Sequence, residues 1–192
     1  LLLMLVAVVS EAQSLKLAPT NVTVVTGSQL TAKTGGGATF LVAATDAPAR
    51  IKAQADYVCD GVADDVEINA ALVAAYAKGG TVLLAPGLYS ITPNAIRITN
   101  SVILAGSGNT AYQFNSTASF NKGTRLKAAS GGGSILIVQP STNQLDRAVN
   151  GVVIRDLSID GDSAAGYGIR LESAESPLVE NVFYQNLTNV AL

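Results

Sequence analysis

A parallel β-helix, a solenoid of short stacked strands, is the fold class that this 192-residue chain predicts. Three observations carry the prediction. Val153–Gly161 repeats as Leu178–Asn186 at an offset of 25. Short strands set between loops rich in Gly, Ser, Asn and Thr recur over residues 81–192. Those loops show no sustained helical stripe.

Within the repeat, Val153 meets Leu178, Ile154 meets Val179, Leu157 meets Val182 and Ile159 meets Tyr184. The polar positions match as well: Arg155 with Glu180, Asp156 with Asn181, Asp160 with Gln185. A period in the twenties suits one coil of a solenoid better than the spacing of sandwich strands. Asn100–Leu104 also aligns with Asn150–Ile154 at an offset of 50, with irregular sequence between them. Ile135–Val138 and Ile169–Leu171 supply further short strands. The loops between are rich in Gly, Ser, Asn and Thr, which are turn formers.

In residues 55–92, Asp60-Gly61 is a turn dipeptide. Asp64 is placed as an N-cap, and Glu67 three residues later completes the pattern of a capping box. Asp65 and Glu67 put negative charge where the helix dipole favours it. Ile68, Leu72 and Ala75 form one stripe, and Gly79-Gly80 stops the helix. Capping accounts for these carboxylates without catalysis. Thr81–Ala85 is a continuous apolar run, which predicts a strand buried on both sides. Pro86-Gly87 ends it, and Leu88–Ile91 begins another extended piece.

Residues 10–50 differ in texture. Val22–Val25 and Thr39–Ala43 read as strands joined by a Thr/Gly loop through Gly35–Gly37, and Asp46-Ala47-Pro48 as a turn. Ala49–Ala55 reads as a short helix or an extended link. The expected organisation is a small β attachment region over residues 1–45 and a β-helix over 46–192, opened by the 55–92 module.

The stretch DAPARIKAQADYVCDGVADDVEINAAL, followed by GGTVLLAPGLYSI, resembles segments of pectate-lyase-superfamily proteins found in phage tail spikes, tail fibres and surface proteins. GVVIRDLSIDG and GIRLESAESPLVENVFYQN resemble ordinary coils of that fold. The resemblance covers about residues 46–192. It implies a right-handed, single-stranded parallel β-helix whose helix covers the open N-terminal end. It further implies a virion or extracellular setting, a homo-oligomer, with a trimer favoured, and contact with surface polysaccharide. Activity does not follow, because this scaffold hosts lyases, hydrolases, binders and structural fibres.

Composition narrows the chemistry. Twelve basic residues against 14 acidic ones, a net charge of −2, leave no nucleic-acid footprint. The chain has no histidine, which excludes Ser-His-Asp and Cys-His triads and histidine metal sites. Its one cysteine, Cys59, cannot form an internal disulfide or a thiolate cluster, and its apolar YVC context predicts a small buried side chain. Three glycosylation-type sequons start at Asn21, Asn115 and Asn186.

Glycoside hydrolases need two carboxyl groups about 5–9.5 Å apart. The candidates are Asp156, Asp160 and Asp162, with Glu172 and Glu180. Turn chemistry accounts for Asp160 and Asp162, and Asp156 is expected to hydrogen-bond a bend. Lyases of the resembling family use an Arg or Lys base with carboxylate-bound calcium. Arg155 and Arg170 could line one face, which a solvated strand face also explains. No residue is assigned to catalysis, to a cofactor or to a metal, and the reading leans away from an enzyme. The alternative is the N-terminal part of a polysaccharide lyase or hydrolase.

The apolar run LLLMLVAVV at residues 1–9 is too short to span a bilayer. It is expected to be a strand that must be covered by its own subunit or a neighbour, in a segment of a longer polypeptide. Residues 1–45 are expected to join other subunits. The strand-like end NLTNVAL predicts that more chain or another subunit covers the last coil.

Overall fold

The computed structural model describes residues 38–77, 79–92, 96–109, 123–129, 131–141 and 148–189, all within one compact unit, Gly36–Leu192. The expected strand at Val22–Val25 and the apolar run at residues 1–9 lie outside the described residues. The chain begins with β1 (Thr39–Ala43), α1 (Ala49–Lys52), β2 (Tyr57–Val58) and α2 (Asp65–Tyr76). The coils follow. The first holds β3 (Thr81–Leu84), β4 (Gly87–Ile91) and β5 (Ile96–Ile98), and the second β6 (Ile103–Ala105), β7 (Thr124–Ala128) and β8 (Ser134–Val138). The third holds β9 (Val149–Asn150), β10 (Val153–Asp160) and β11 (Tyr167–Leu171), and the fourth β12 (Ala174–Glu175) and β13 (Leu178–Gln185).

Every strand pairing is parallel. β2, β1, β3, β6 and the first half of β10 stack in that order, and β4 and β7 stack on the second half of β10. β13 pairs with β10 along its whole length. β5, β8 and β11 form a second sheet, and β9 pairs with β12. Strands stacked coil upon coil in this way make a parallel β-helix.

The 25-residue repeat is the register of the structure, with Val153 opposite Leu178 and Ile159 opposite Tyr184. The 50-residue offset is also real, because Val153 lies opposite Ile103. It measures one coil rather than two. The irregular sequence between β6 and β10 lengthens that coil, whereas β3 and β6 pair with Thr81 opposite Ile103.

Alternation sends every second side chain into the coil. Val82, Leu104 and Ile154 stack on one another, as do Tyr89, Leu126 and Ile159, and Ile96, Leu136 and Ile169. All nine are buried. Each large apolar side chain so placed contributes about 1.5–3 kcal/mol. β3 corrects the expectation of a strand buried on both sides. Val82 and Leu84 are fully buried, but Thr81 and Leu83 are only half-buried. At β3 the coil wall is one sheet thick and its outer face is only partly covered, whereas β8 is buried on both faces.

The expected helix forms, with Ile68, Ala71, Leu72 and Ala75 fully buried, and it packs against β1, β3 and β5. The capping box does not form. Asp64 is already helical in conformation and its side chain makes no cap hydrogen bond. Instead its carboxylate accepts the Gly61 N–H (2.7 Å) and, across the structure, the Ser90 N–H (2.7 Å).

That bond belongs to a series. Among the described residues, β4 and β5 are edge strands whose outer N–H groups have no strand to pair with. Asp46 accepts from Leu88 (3.0 Å), Asp64 from Ser90 and Asp65 from Thr92 (2.9 Å). Asn69 accepts from Arg97 (3.0 Å), and the Tyr76 hydroxyl accepts from Thr99 (3.1 Å). At 88, 90 and 92, and again at 97 and 99, alternate N–H groups therefore meet a side-chain oxygen from α2 or the loops before it. Side chains here replace a strand and block edge-to-edge pairing.

Candidate functional site: the polar outer face of the coil

β10 turns from one wall of the coil to the next at Asp156, which has φ +59°. Asn181 does the same in β13 with φ +50°. Asp and Asn tolerate this left-handed conformation better than other chiral residues. Asn181 Nδ2 donates to Asp156 Oδ1 (2.7 Å), and Asn109 Nδ2 donates to Asn181 Oδ1 (2.5 Å). Arg155 Nη1 donates to Asp156 Oδ2 (3.2 Å). Asp156, expected to hydrogen-bond a bend, lies at the bend itself, and its carboxylate accepts from the Arg155 and Asn181 side chains. Glu180 sits opposite Arg155 in register and is exposed.

At the far end of β10, Asp160 is 1% exposed. It forms an ion pair with Arg125 on β7 and accepts from Asn186 Nδ2 (2.9 Å) and from the Asp162 N–H (3.0 Å). Burial by itself would raise its pKa. Hydrogen bonds from Arg125, the Asp162 N–H, Asn186 and Gln185 outweigh burial and hold the carboxyl below its ordinary value. Asp162, on the turn that follows, pairs with Lys127 (3.2 Å). Asn186 opens a sequon, yet its amide is occupied by Asp160 in the fold. The sequons at Asn21 and Asn115 lie outside the described residues.

The structure separates Arg155 from Arg170. Arg155 lies on β10 and Arg170 on β11, in different sheets, so they do not line one face. Arg170 pairs with Glu172. With its amide turned to suit both neighbours, Gln139 donates to Glu172 Oε2 (3.0 Å) and accepts from Arg97 Nη1 (2.8 Å). Two polar groups result: Arg125, Lys127, Asp160, Asp162 and Asn186 at one corner, and Arg97, Gln139, Arg170 and Glu172 on the other sheet.

Sequence reasoning missed Arg125 and Lys127. Their register with β10 crosses a long irregular segment that carries no period. The one available signal was the alternation Arg125-Leu126-Lys127.

A third cluster lies beside α2, where ligand atoms of Cys59, Asp64 and Glu67 fall within 4.8 Å of one another. It is poorly suited to a metal. Both Asp64 oxygens already accept backbone N–H groups, and burial, with nearby carboxylates, pushes the Cys59 thiol pKa well up. A thiol held protonated is not a ligand. Cys59 is 2% exposed, in keeping with its expected role as a buried apolar side chain.

No protein-family profile matches the sequence, and no curated protein matches it. Among solved structures, the chain is similar to ORF18 of Geobacillus virus E2, at 22% identity and a TM-score of 0.50 over 64% of this chain and 23% of that one. It is also similar to the A-modules of two mannuronan C-5 epimerases of Azotobacter vinelandii. AlgE6 matches at 25% identity and a TM-score of 0.51, and AlgE4 at 24% and 0.50, each over 68% of this chain and 36% of theirs. The chain thus spans well under half the length of these proteins. Fold and neighbours together define its class, a parallel β-helix protein. More narrowly, the solved structures it resembles are parallel β-helices of the pectate-lyase-like kind, and this chain shares their fold.

Proposed function

We propose that this chain is a structural protein of a virion or extracellular appendage. Its β-helix serves as a rigid rod for assembly and turns a polar outer face toward surface polysaccharide. The observation that supports this reading is that four of the five candidate carboxylates, Asp156, Asp160, Asp162 and Glu172, are engaged by partners within the coil, while Glu180 is exposed on its outer face. General acid catalysis needs a carboxyl group that is protonated near neutral pH. Asp160 is held ionised instead. The phage neighbour agrees with a virion setting. Part of the 1–45 region, the residues ahead of β1, would join the rod to other subunits, and homo-oligomerisation would thicken it. Among the described residues, no helix is long and apolar enough to cross a membrane.

A second reading, part of a carbohydrate-active enzyme, draws on the likeness to the epimerase A-modules. One experiment separates the two. The chain is incubated with polyuronates and neutral polysaccharides, and both retention and product formation are followed by NMR. Retention without product is expected. Cleavage, elimination or epimerisation would overturn the structural reading in favour of the enzyme.

A further inference from the structure

We propose that Asn150-Gly151 is a self-modification site, at which the asparagine converts to aspartate and isoaspartate in the folded chain and loosens the last coil. It is the only Asn-Gly pair in the sequence. The reaction is intramolecular. The Gly151 nitrogen gives up its proton and bonds to the Asn150 side-chain carbonyl carbon, the bond from that carbon to Nδ2 breaks, and ammonia leaves. Water then opens the five-membered imide at either carbonyl, giving aspartate or isoaspartate. The balance is one water in and one ammonia out, with no oxidant or cofactor. The step needs a side chain free to turn, an attacking nitrogen that is not held, and no Cβ beside it.

Asn150 meets all three conditions. It is exposed, and its Nδ2 reaches only the Ala148 carbonyl, at 3.5 Å. The Gly151 N–H points at the Glu175 carbonyl at 3.3 Å, longer than an ordinary N–H···O bond. Gly151 turns the corner at φ +64°, and a Cβ there would lie 3.2 Å from Ser101 Oγ, so the corner itself calls for glycine. The comparable pairs are held. The Gly61 N–H after Asp60 donates to Asp64 Oδ1 at 2.7 Å, and the Gly161 N–H after the buried Asp160 donates to the Gln185 carbonyl at 2.9 Å. Asn181 and Asn186 have their amides on Asp156 and Asp160. The place of Asn150 gives the change an effect. It lies opposite Glu175 in the pairing of β9 with β12, and Glu175 is exposed. A new carboxylate there faces a like charge. Isoaspartate also lengthens the main chain by one carbon, which breaks the register of a two-residue strand.

The test follows the full-length chain in mildly alkaline buffer, folded in one sample and unfolded in urea in another. Both are digested at intervals and mapped by mass spectrometry, with isoaspartyl methyltransferase as the probe for isoaspartate. In the folded sample Asn150 is expected to convert before every other asparagine, to products heavier by the difference between oxygen and NH. Asn150→Gln, whose longer side chain would have to close a six-membered ring, should lose the signal. Amide exchange in the folded parent should quicken with product at Gly151 and at Val149, whose N–H donates to the Ser173 carbonyl in the last coil. In Asn150→Gln it should stay constant over the same incubation. Conversion at Asn150 in urea but not in the folded chain would overturn the proposal, by showing that the Glu175 carbonyl holds the attacking N–H. Conversion that starts at another asparagine of the folded chain would also overturn it. So would product at Asn150 with unchanged exchange at Val149 and Gly151, because the last coil would then be indifferent to the change.

Discussion

Asn181 lies one coil beyond Asp156, 25 residues later, and donates its side-chain N–H to the Asp156 carboxylate at 2.7 Å. Both residues occupy the left-handed backbone region at the same corner. The pair therefore does two things: it relieves the corner's conformational demand and ties successive coils together. Replacing Asn181 with Ala removes both and should cost about 1–3 kcal/mol. Asn181→Gly restores the backbone freedom but not the hydrogen bond, so its loss should be smaller. Urea unfolding of the two variants measures the difference. Equal losses would show that the side-chain bond alone matters.

Asp160 makes the fold sensitive to acid. Its pKa in the folded chain is lowered, with burial opposed and outweighed by Arg125 and three further hydrogen-bond donors. A carboxyl depressed in the folded state stabilises above its unfolded pKa of about 4, and loses that contribution as pH falls through its lower folded value. Asp160→Asn should abolish this part of the acid sensitivity. At neutral pH it should cost about 1.5–3 kcal/mol, the range for a hydrogen bond to a charged group. Stability measured from pH 7 downward, in the parent and the variant, checks both statements. Parallel curves would sink them.

The parts of this structure that could be read from sequence are those in which a local period survives. The match of Val153–Asp160 to Leu178–Gln185 predicted the register of β10 on β13 and the stacking of Asp156 on Asn181. Ile68, Leu72 and Ala75 predicted the buried stripe of α2. Asp64 was misread for a physical reason. A carboxylate at a helix start looks the same in sequence whether it accepts from its own helix or from Ser90, 26 residues on. The side-chain edge of β4 and β5 and the Arg125–Asp160 pair were hidden likewise. Each is a long-range contact across segments with no period.

The edge itself can be tested through Tyr76 and Asn69. The Tyr76 hydroxyl accepts from the Thr99 N–H and donates to the Arg97 carbonyl, each at 3.1 Å. Asn69 accepts from the Arg97 N–H. Tyr76→Phe keeps the ring and removes only the hydroxyl, so it should cost about 1–3 kcal/mol for the groups left without a partner. Amide hydrogen exchange should quicken at Thr99 in Tyr76→Phe and at Arg97 in Asn69→Ala. Unchanged exchange at these two amides would show that the side chains do not close the edge.

Gly106 sets the tightest steric limit at the Asp156 corner. A Cβ built there would lie 2.3 Å from the Asp156 carbonyl oxygen and 2.8 Å from Leu157 Cβ and Thr124 Cβ. The Gly106 N–H also donates to the Arg155 carbonyl (2.9 Å), so the strand cannot move away without losing that bond. Gly106→Ala must therefore shift backbone rather than a flexible side chain, at a cost of roughly 1–3 kcal/mol or more. Gly108 offers a matched control, because a Cβ there meets nothing within 4 Å, although its φ of +114° disfavours a side chain. Gly108→Ala thus carries the backbone cost alone, and Gly106→Ala the steric cost alone. Denaturant midpoints for the two variants should place Gly106→Ala as the more damaging. The opposite order would mean that backbone conformation, not close approach of the coils, limits this corner.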